Sequence, residues 1–205
     1  MFYLKKILLT STGLENKMVA EKFIALVPKP VKELKILFVP TASRTDDEKV
    51  FVRKSLNELL SVGINKDNIV WFDADDVSTY FNDSEFDCIY VCGGNAFYLL
   101  KKLKENNYFS RIKEFVNKGL FYVGISAGSV IATSDINYIL CMDENDCKLD
   151  DTAGLSFLSS ALIPHYNEEF SDTVSLLMNN GKEVVTISDN QAVVILGEKI
   201  EKIGY

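Results

Sequence analysis

The chain has 205 residues, of which 47% are apolar, and a net charge of −7. This length and composition fit one domain with a full core and exclude a disordered chain. The acidic balance, with lysines scattered rather than clustered, argues against a nucleic-acid partner, because nothing neutralises phosphates over a broad surface.

The first ten residues, Met1 to Thr10, contain no long apolar stretch and no cleavage site, so they read as a first strand and not as a signal peptide. Lys6 to Thr10 is the strand itself. An amphipathic helix is expected from Glu15 to Val27, with Met18, Phe23 and Leu26 on one side, stopped by Pro28 and Pro30. A second strand, Lys35 to Val39, runs into the loop Pro40-Thr41-Ala42-Ser43. A second helix spans Asp47 to Val62, with Val52, Leu56, Leu59 and Leu60 inward and Gly63 as its stop. Strands follow at Asn68 to Phe72 and Cys88 to Cys92, the latter entering Gly93-Gly94-Asn95. Helices are expected at Ala96 to Asn106 and Ser110 to Lys118. The strand Leu120 to Val123 then leads into Gly124-Ile125-Ser126-Ala127-Gly128. Later strands are expected at Ala161 to Pro164, Glu183 to Ile187, Gln191 to Leu196 and Ile200 to Ile203, with a helix from Glu168 to Asn180. Apolar strands alternating with amphipathic helices predict an α/β fold of three layers: a mainly parallel sheet, buried on both faces by helices.

No run is long enough to cross a membrane, so no membrane association is expected. The four cysteines, Cys88, Cys92, Cys141 and Cys147, form no Cys-x-x-Cys pair. With a single histidine they argue against zinc and for a reduced, cytoplasmic setting. The acidic stretch from Asp143 to Asp151 lacks the glycine and spacing of a calcium loop, and reads as solvated.

The most informative residues are Gly124 to Gly128. A strand, a Gly-x-Ser-x-Gly turn and a helix form the setting of a nucleophile elbow. The glycines leave room beside a strained serine, and the N–H groups after it point where an oxyanion can develop. A serine needs a base. The only histidine is His165, in Ile163-Pro164-His165-Tyr166-Asn167, so the partner of Ser126 is fixed without choice. Each signal alone has a plainer reading, an ordinary turn or a structural histidine. In a parallel sheet ligands bind beyond the carboxyl ends of the strands. Thr41-Ala42-Ser43, Gly93-Gly94-Asn95, Ser126 and His165 all lie at such ends.

On these motifs the chain resembles peptidase family S51, which includes aspartyl dipeptidases and cyanophycinases. The resemblance is carried by Val39-Pro40-Thr41-Ala42-Ser43, Cys92-Gly93-Gly94-Asn95-Ala96-Phe97, Gly124-Ile125-Ser126-Ala127-Gly128-Ser129 and Ile163-Pro164-His165-Tyr166-Asn167, and their order spans most of the chain. It implies a class I glutamine amidotransferase-like, flavodoxin-like fold over residues 1–205, with serine in place of cysteine. It implies Ser126 as nucleophile, His165 as general base, and oxyanion donors from the backbone of Gly94 and Ala127. The family's acidic residue in a late strand–turn segment aligns with Ile187-Ser188-Asp189-Asn190, so the resemblance implies Asp189 as first choice for the acid behind His165, with Asp135 and Asp143 as alternatives.

The resemblance thus implies a serine peptidase acting on small peptides, with no cofactor and no metal. Dipeptides with an N-terminal aspartate are one candidate substrate. They would call for a cation, for which Arg44 is the candidate, and Asn95 is a second candidate substrate-binding residue. Two other readings compete. An α/β-hydrolase-type esterase or thioesterase would use the same elbow with its acid before the histidine, at Asp143, Asp150 or Asp151. A non-catalytic binding protein would keep a vestigial elbow and lack the acid.

Overall fold

The computed structural model describes residues 4–76, 81 and 85–205. Its centre is a seven-stranded sheet. Strands β1 (Lys6–Thr10), β2 (Ile36–Val39), β3 (Ile69–Trp71), β4 (Cys88–Val91) and β5 (Phe121–Ile125) run parallel in the order β3-β2-β4-β5-β1. The last two strands, β8 (Ala192–Leu196) and β9 (Lys199–Ile203), are added antiparallel at the β1 edge. A two-residue turn, with Gly197 at φ 61°, closes them into a hairpin.

The strands are apolar throughout because both faces are covered. Alternate residues enter two separate cores. Leu8, Phe38, Tyr90 and Val123 pack under α1 (Lys17–Leu26) and α2 (Glu48–Ser61). Leu9, Val39, Val91 and Tyr122 pack under α3 (Ala96–Glu105), α4 (Tyr108–Asn117) and the short α5 (Ala127–Val130). The result is the three-layer α/β arrangement read from the alternation of elements.

The expected strands at Ala161 to Pro164 and Glu183 to Ile187 exist as β6 (Ala161–Ile163) and β7 (Val184–Thr186), but they do not join the central sheet. They pair parallel with each other in a second, two-stranded sheet. The expected helix from Glu168 begins as a 3-10 turn, Glu168–Phe170, and becomes α-helical only as α6 (Ser171–Asn179). In α1 the inward position next to the N-terminus is Val19, whereas Met18 faces outward. In α2, Val52 and Leu59 are buried, while Leu56 and Leu60 are only partly covered. Cys88 and Cys92 are buried free thiols whose pKa values burial pushes upward.

Candidate active site

Ser126 follows β5 and precedes α5, at the carboxyl edge of the parallel strands. Its backbone stands at φ 47°, ψ −108°, a conformation that a side chain other than glycine rarely adopts. The surroundings impose it. The Ser126 N–H donates to the Thr10 carbonyl at 2.9 Å, and the Ser126 carbonyl accepts from the N–H groups of Ser129 and Val130. The Ser129 hydroxyl bridges back to the carbonyls of Gly124 and Thr10 at 2.7 and 2.8 Å. The two flanking glycines serve close approach. A Cβ on Gly124 would lie 2.5 Å from the Gly128 carbonyl oxygen, and one on Gly128 would lie 2.3 Å from that of Val91.

His165 leaves the end of β6 and Asp189 lies beyond the end of β7, so the parallel pairing of these strands brings the two loops side by side. His165 Nε2 lies 3.0 Å from Ser126 Oγ, and His165 Nδ1 lies 2.6 Å from Asp189 Oδ1. The loop after β1 ties both to the sheet. The Ser11 hydroxyl accepts from the His165 N–H at 3.1 Å and donates to the Ile187 carbonyl at 3.1 Å. The Thr12 hydroxyl donates to the Asp189 carbonyl at 2.8 Å.

The other two candidate acids are engaged elsewhere. Asp135 accepts from Thr152 and from the Asn137 N–H, with Lys182 beside it. Burial alone would raise its pKa, but these donors and the lysine hold it below the usual range. Asp143 accepts from the Ala96 N–H at 2.8 Å, at the start of α3. Burial raises its carboxyl pKa, partly offset by that N–H.

Opposite Ser126, the turn after β4 carries Gly94 at φ 134°. A Cβ there would lie 2.2 Å from the Ala42 carbonyl oxygen, so glycine alone fits. Ser43 braces the same turn by donating to the Gly93 carbonyl at 2.8 Å. Among the described residues the N–H groups of Gly94 and Ala127 have no hydrogen-bond partner. Asn95 caps α3, accepting from the Tyr98 N–H and donating to the Glu144 carbonyl, each at 2.8 Å. Arg44 does not line the cleft. Its guanidinium pairs with Asp146 at 2.9 Å and lies over the Tyr98 ring.

The cleft between these loops encloses about 320 Å³. Ser126, His165, Gly94 and Asn95 line it, together with Glu48, Phe51 and Lys54 of α2 and with Ser11 and Thr12. Sequence reasoning missed this second group. The polar face of α2 reads as solvent-facing, and only the tertiary arrangement turns it toward Ser126. Among the described residues no cluster of three His, Cys, Asp or Glu side chains could hold a metal ion, and no helix is long and apolar enough to cross a membrane.

The profile of peptidase family S51 matches residues 7–203. The chain belongs to peptidase family S51. An uncharacterized peptidase of Listeria monocytogenes is 29% identical over 173 residues, which cover 80% of this chain and 83% of the relative. Peptidase E of Haemophilus influenzae is 36% identical over 138 residues, covering 63% of this chain and 55% of that one. The crystal structure of a Listeria monocytogenes EGD-e protein, provisionally described as a Peptidase E, superposes with a TM-score of 0.83 at 27% identity. It covers 98% of this chain and 99% of that one. This S51 member is therefore a serine-type peptidase with the amidotransferase-like α/β fold of its family.

Proposed function

We propose that this S51 peptidase hydrolyses small peptides through an acyl-enzyme formed on Ser126. The observation that carries the proposal is the continuous chain from Ser126 Oγ through both His165 nitrogens to Asp189 Oδ1, with steps of 3.0 and 2.6 Å. With a proton on Nδ1 donated to Asp189, the Nε2 lone pair accepts the Ser126 proton as the hydroxyl attacks the carbonyl carbon. The N–H groups of Gly94 and Ala127 are free to donate to the resulting oxyanion. His165 then protonates the leaving amine. Water, activated by the same nitrogen, cleaves the ester and restores Ser126. Asp189 keeps the imidazole in the required tautomer and balances its charge.

Its position in the chain also distinguishes the readings. An acid after the histidine is not the Ser, Asp, His order of the α/β-hydrolase-type esterases. A preference for N-terminal aspartate finds no support in Arg44, which lies outside the cleft lining.

The test is labelling with a fluorophosphonate followed by peptide mapping, alongside hydrolysis of a panel of dipeptides and p-nitroanilides. Ser126 is the expected site of modification. Ser126→Ala is expected to lose the label and to reduce hydrolysis by about 10⁴-fold or more while the protein stays folded. Labelling at another residue, or full activity in Ser126→Ala, would overturn the proposal.

A further inference from the structure

The wall contributed by α2 gives the cleft a direction. Glu48, Phe51 and Lys54 line it at three-residue spacing along the helix. The two ends differ in charge. At one end Glu48, which accepts from the Arg44 and Thr45 N–H groups, acts on the Asp143 carboxylate beside the start of α3, with Arg44 outside the lining opposing it. At the other end Lys54 pairs with Glu15 at 2.6 Å, and the carboxyl groups of Glu58 and Asp189 lie within electrostatic reach. Lys54 is the only lysine or arginine among the described residues that line the cleft.

The chemistry places the substrate along this axis. His165 returns its proton to the leaving amine, so the part of the peptide after the scissile bond lies on the His165–Asp189 side. That is the Lys54 end. The lining at the Asp143–Glu48 end carries two carboxylates and no cation, and so suits an ammonium group better than a carboxylate. A short zwitterionic peptide therefore has one orientation in which its ammonium faces the carboxylates of the lining and its carboxylate faces the one lysine of the lining.

We infer that Lys54 reads the free C-terminal carboxylate of the substrate, making this S51 peptidase selective for short peptides whose chain ends just beyond the scissile bond. The inference rests on the Ser126–His165 reading above. An ammonium on a flexible stem is suited to such a contact. Its present partner does not preclude it. Both members of the Lys54–Glu15 pair are largely exposed, and surface pairs of this kind contribute little, so a substrate carboxylate can replace or join Glu15.

The experiment compares a neutral dipeptide with its C-terminal amide in the wild type, Lys54→Met, Lys54→Arg and Glu15→Gln. The wild type is expected to prefer the free acid by about tenfold in kcat/KM, mainly through KM, as one charge-assisted hydrogen bond supplies. Lys54→Met is expected to lose that preference, Lys54→Arg to keep part of it, and Glu15→Gln to increase it by freeing the ammonium. A Lys54→Met enzyme with the wild-type preference, or a wild type with none, overturns the inference. Fluorophosphonate labelling of the wild type separates the two levels. A labelled Ser126 without carboxylate preference sinks the inference alone, whereas an unlabelled Ser126 sinks the reading beneath it as well.

Discussion

Ser126 and the His165–Asp189 pair meet in one cleft but are held there by different means. Ser126 sits over the middle of the central sheet, where β5 lies between β4 and β1, and the backbone itself leaves no alternative position. Gly124 and Gly128 are packed against carbonyl groups with no space for a methyl group. His165 and Asp189 instead extend from a two-stranded sheet outside the main one, and their side chains are 40% and 62% exposed. Two hydroxyls, those of Ser11 and Thr12, tie their loops to the end of β1. One side of the site is built by exclusion of volume and the other by a few directional bonds. Apart from loss of the Ser126 hydroxyl itself, damage to the first is expected to appear in stability, and damage to the second in rate.

Beyond the nucleophile itself, the largest effect is expected at the exposed side. Asp189→Asn keeps the size of the side chain but removes the charge that, in the proposed mechanism, orients and stabilises a protonated His165. A loss of about 10³-fold in kcat is expected, with a melting temperature near that of the wild type. Parallel kinetics and calorimetry check both parts. An unchanged rate would mean that His165 works without this carboxylate.

Gly128→Ala probes the packed side. The added methyl group would meet the Val91 carbonyl oxygen at 2.3 Å and the Val91 Cβ at 3.0 Å, inside the sheet. Relief requires α5 to move off the strands. A destabilisation of about 3 kcal/mol is expected, which lowers the melting temperature by roughly 10 °C at this chain length. A variant as stable as the wild type would show that the elbow can yield, and the contrast between the two sides would disappear.

Thr12→Val tests the tether at nearly constant volume. The hydroxyl donates to the Asp189 carbonyl at 2.8 Å in an exposed position, so its loss leaves that oxygen open to water. The stability cost is expected to be about 1 kcal/mol or less, while kcat/KM falls about fivefold as the Asp189 loop loosens. A large drop in stability with no change in rate would make Thr12 a structural residue only.

The same contrast explains what could be read from the sequence. The elbow is a local pattern: apolar strand, two glycines around a serine, short helix. Each part acts within a few residues, so the turn and its place at a strand end were legible. His165 was legible because it is the sole histidine. Asp189 became the first candidate only through the resemblance, since nothing in Ile187-Ser188-Asp189-Asn190 by itself says that its carboxylate crosses to a residue 24 positions earlier. The separate β6–β7 sheet was not legible, because three apolar residues look alike in a central or an accessory sheet. The roles of Ser11, Thr12 and the α2 wall were also hidden. A hydroxyl after a strand, or a charged residue on a helix, shows its partner only once distant segments have packed. Arg44 shows the reverse: its place after β2 suggested a cleft cation, and the loop carrying Asp146 takes that charge instead.

The smallest effect concerns the joint between the two sides. Glu58 of α2 holds the loop after β1 by accepting from the Leu14 N–H at 2.7 Å, and its second oxygen is buried without a partner among the described residues. Burial raises the pKa of this carboxyl, with Glu15 adding to the rise and the Leu14 N–H and Lys54 opposing it. The consequence for stability follows from proton linkage. Above the ordinary glutamate pKa the unfolded chain has released this proton while the folded chain still holds it. The native state is therefore favoured less as pH rises through the window between the two values. Glu58→Gln removes that titration while keeping an acceptor for Leu14. Wild type and variant are expected to diverge on urea titrations run between about pH 4 and 8, the variant losing less stability as pH rises. Profiles that stay parallel across this range would show that Glu58 is ionised at no cost in the fold, and that the loop bearing Ser11 and Thr12 is anchored by a charge rather than by a protonated, buried carboxyl.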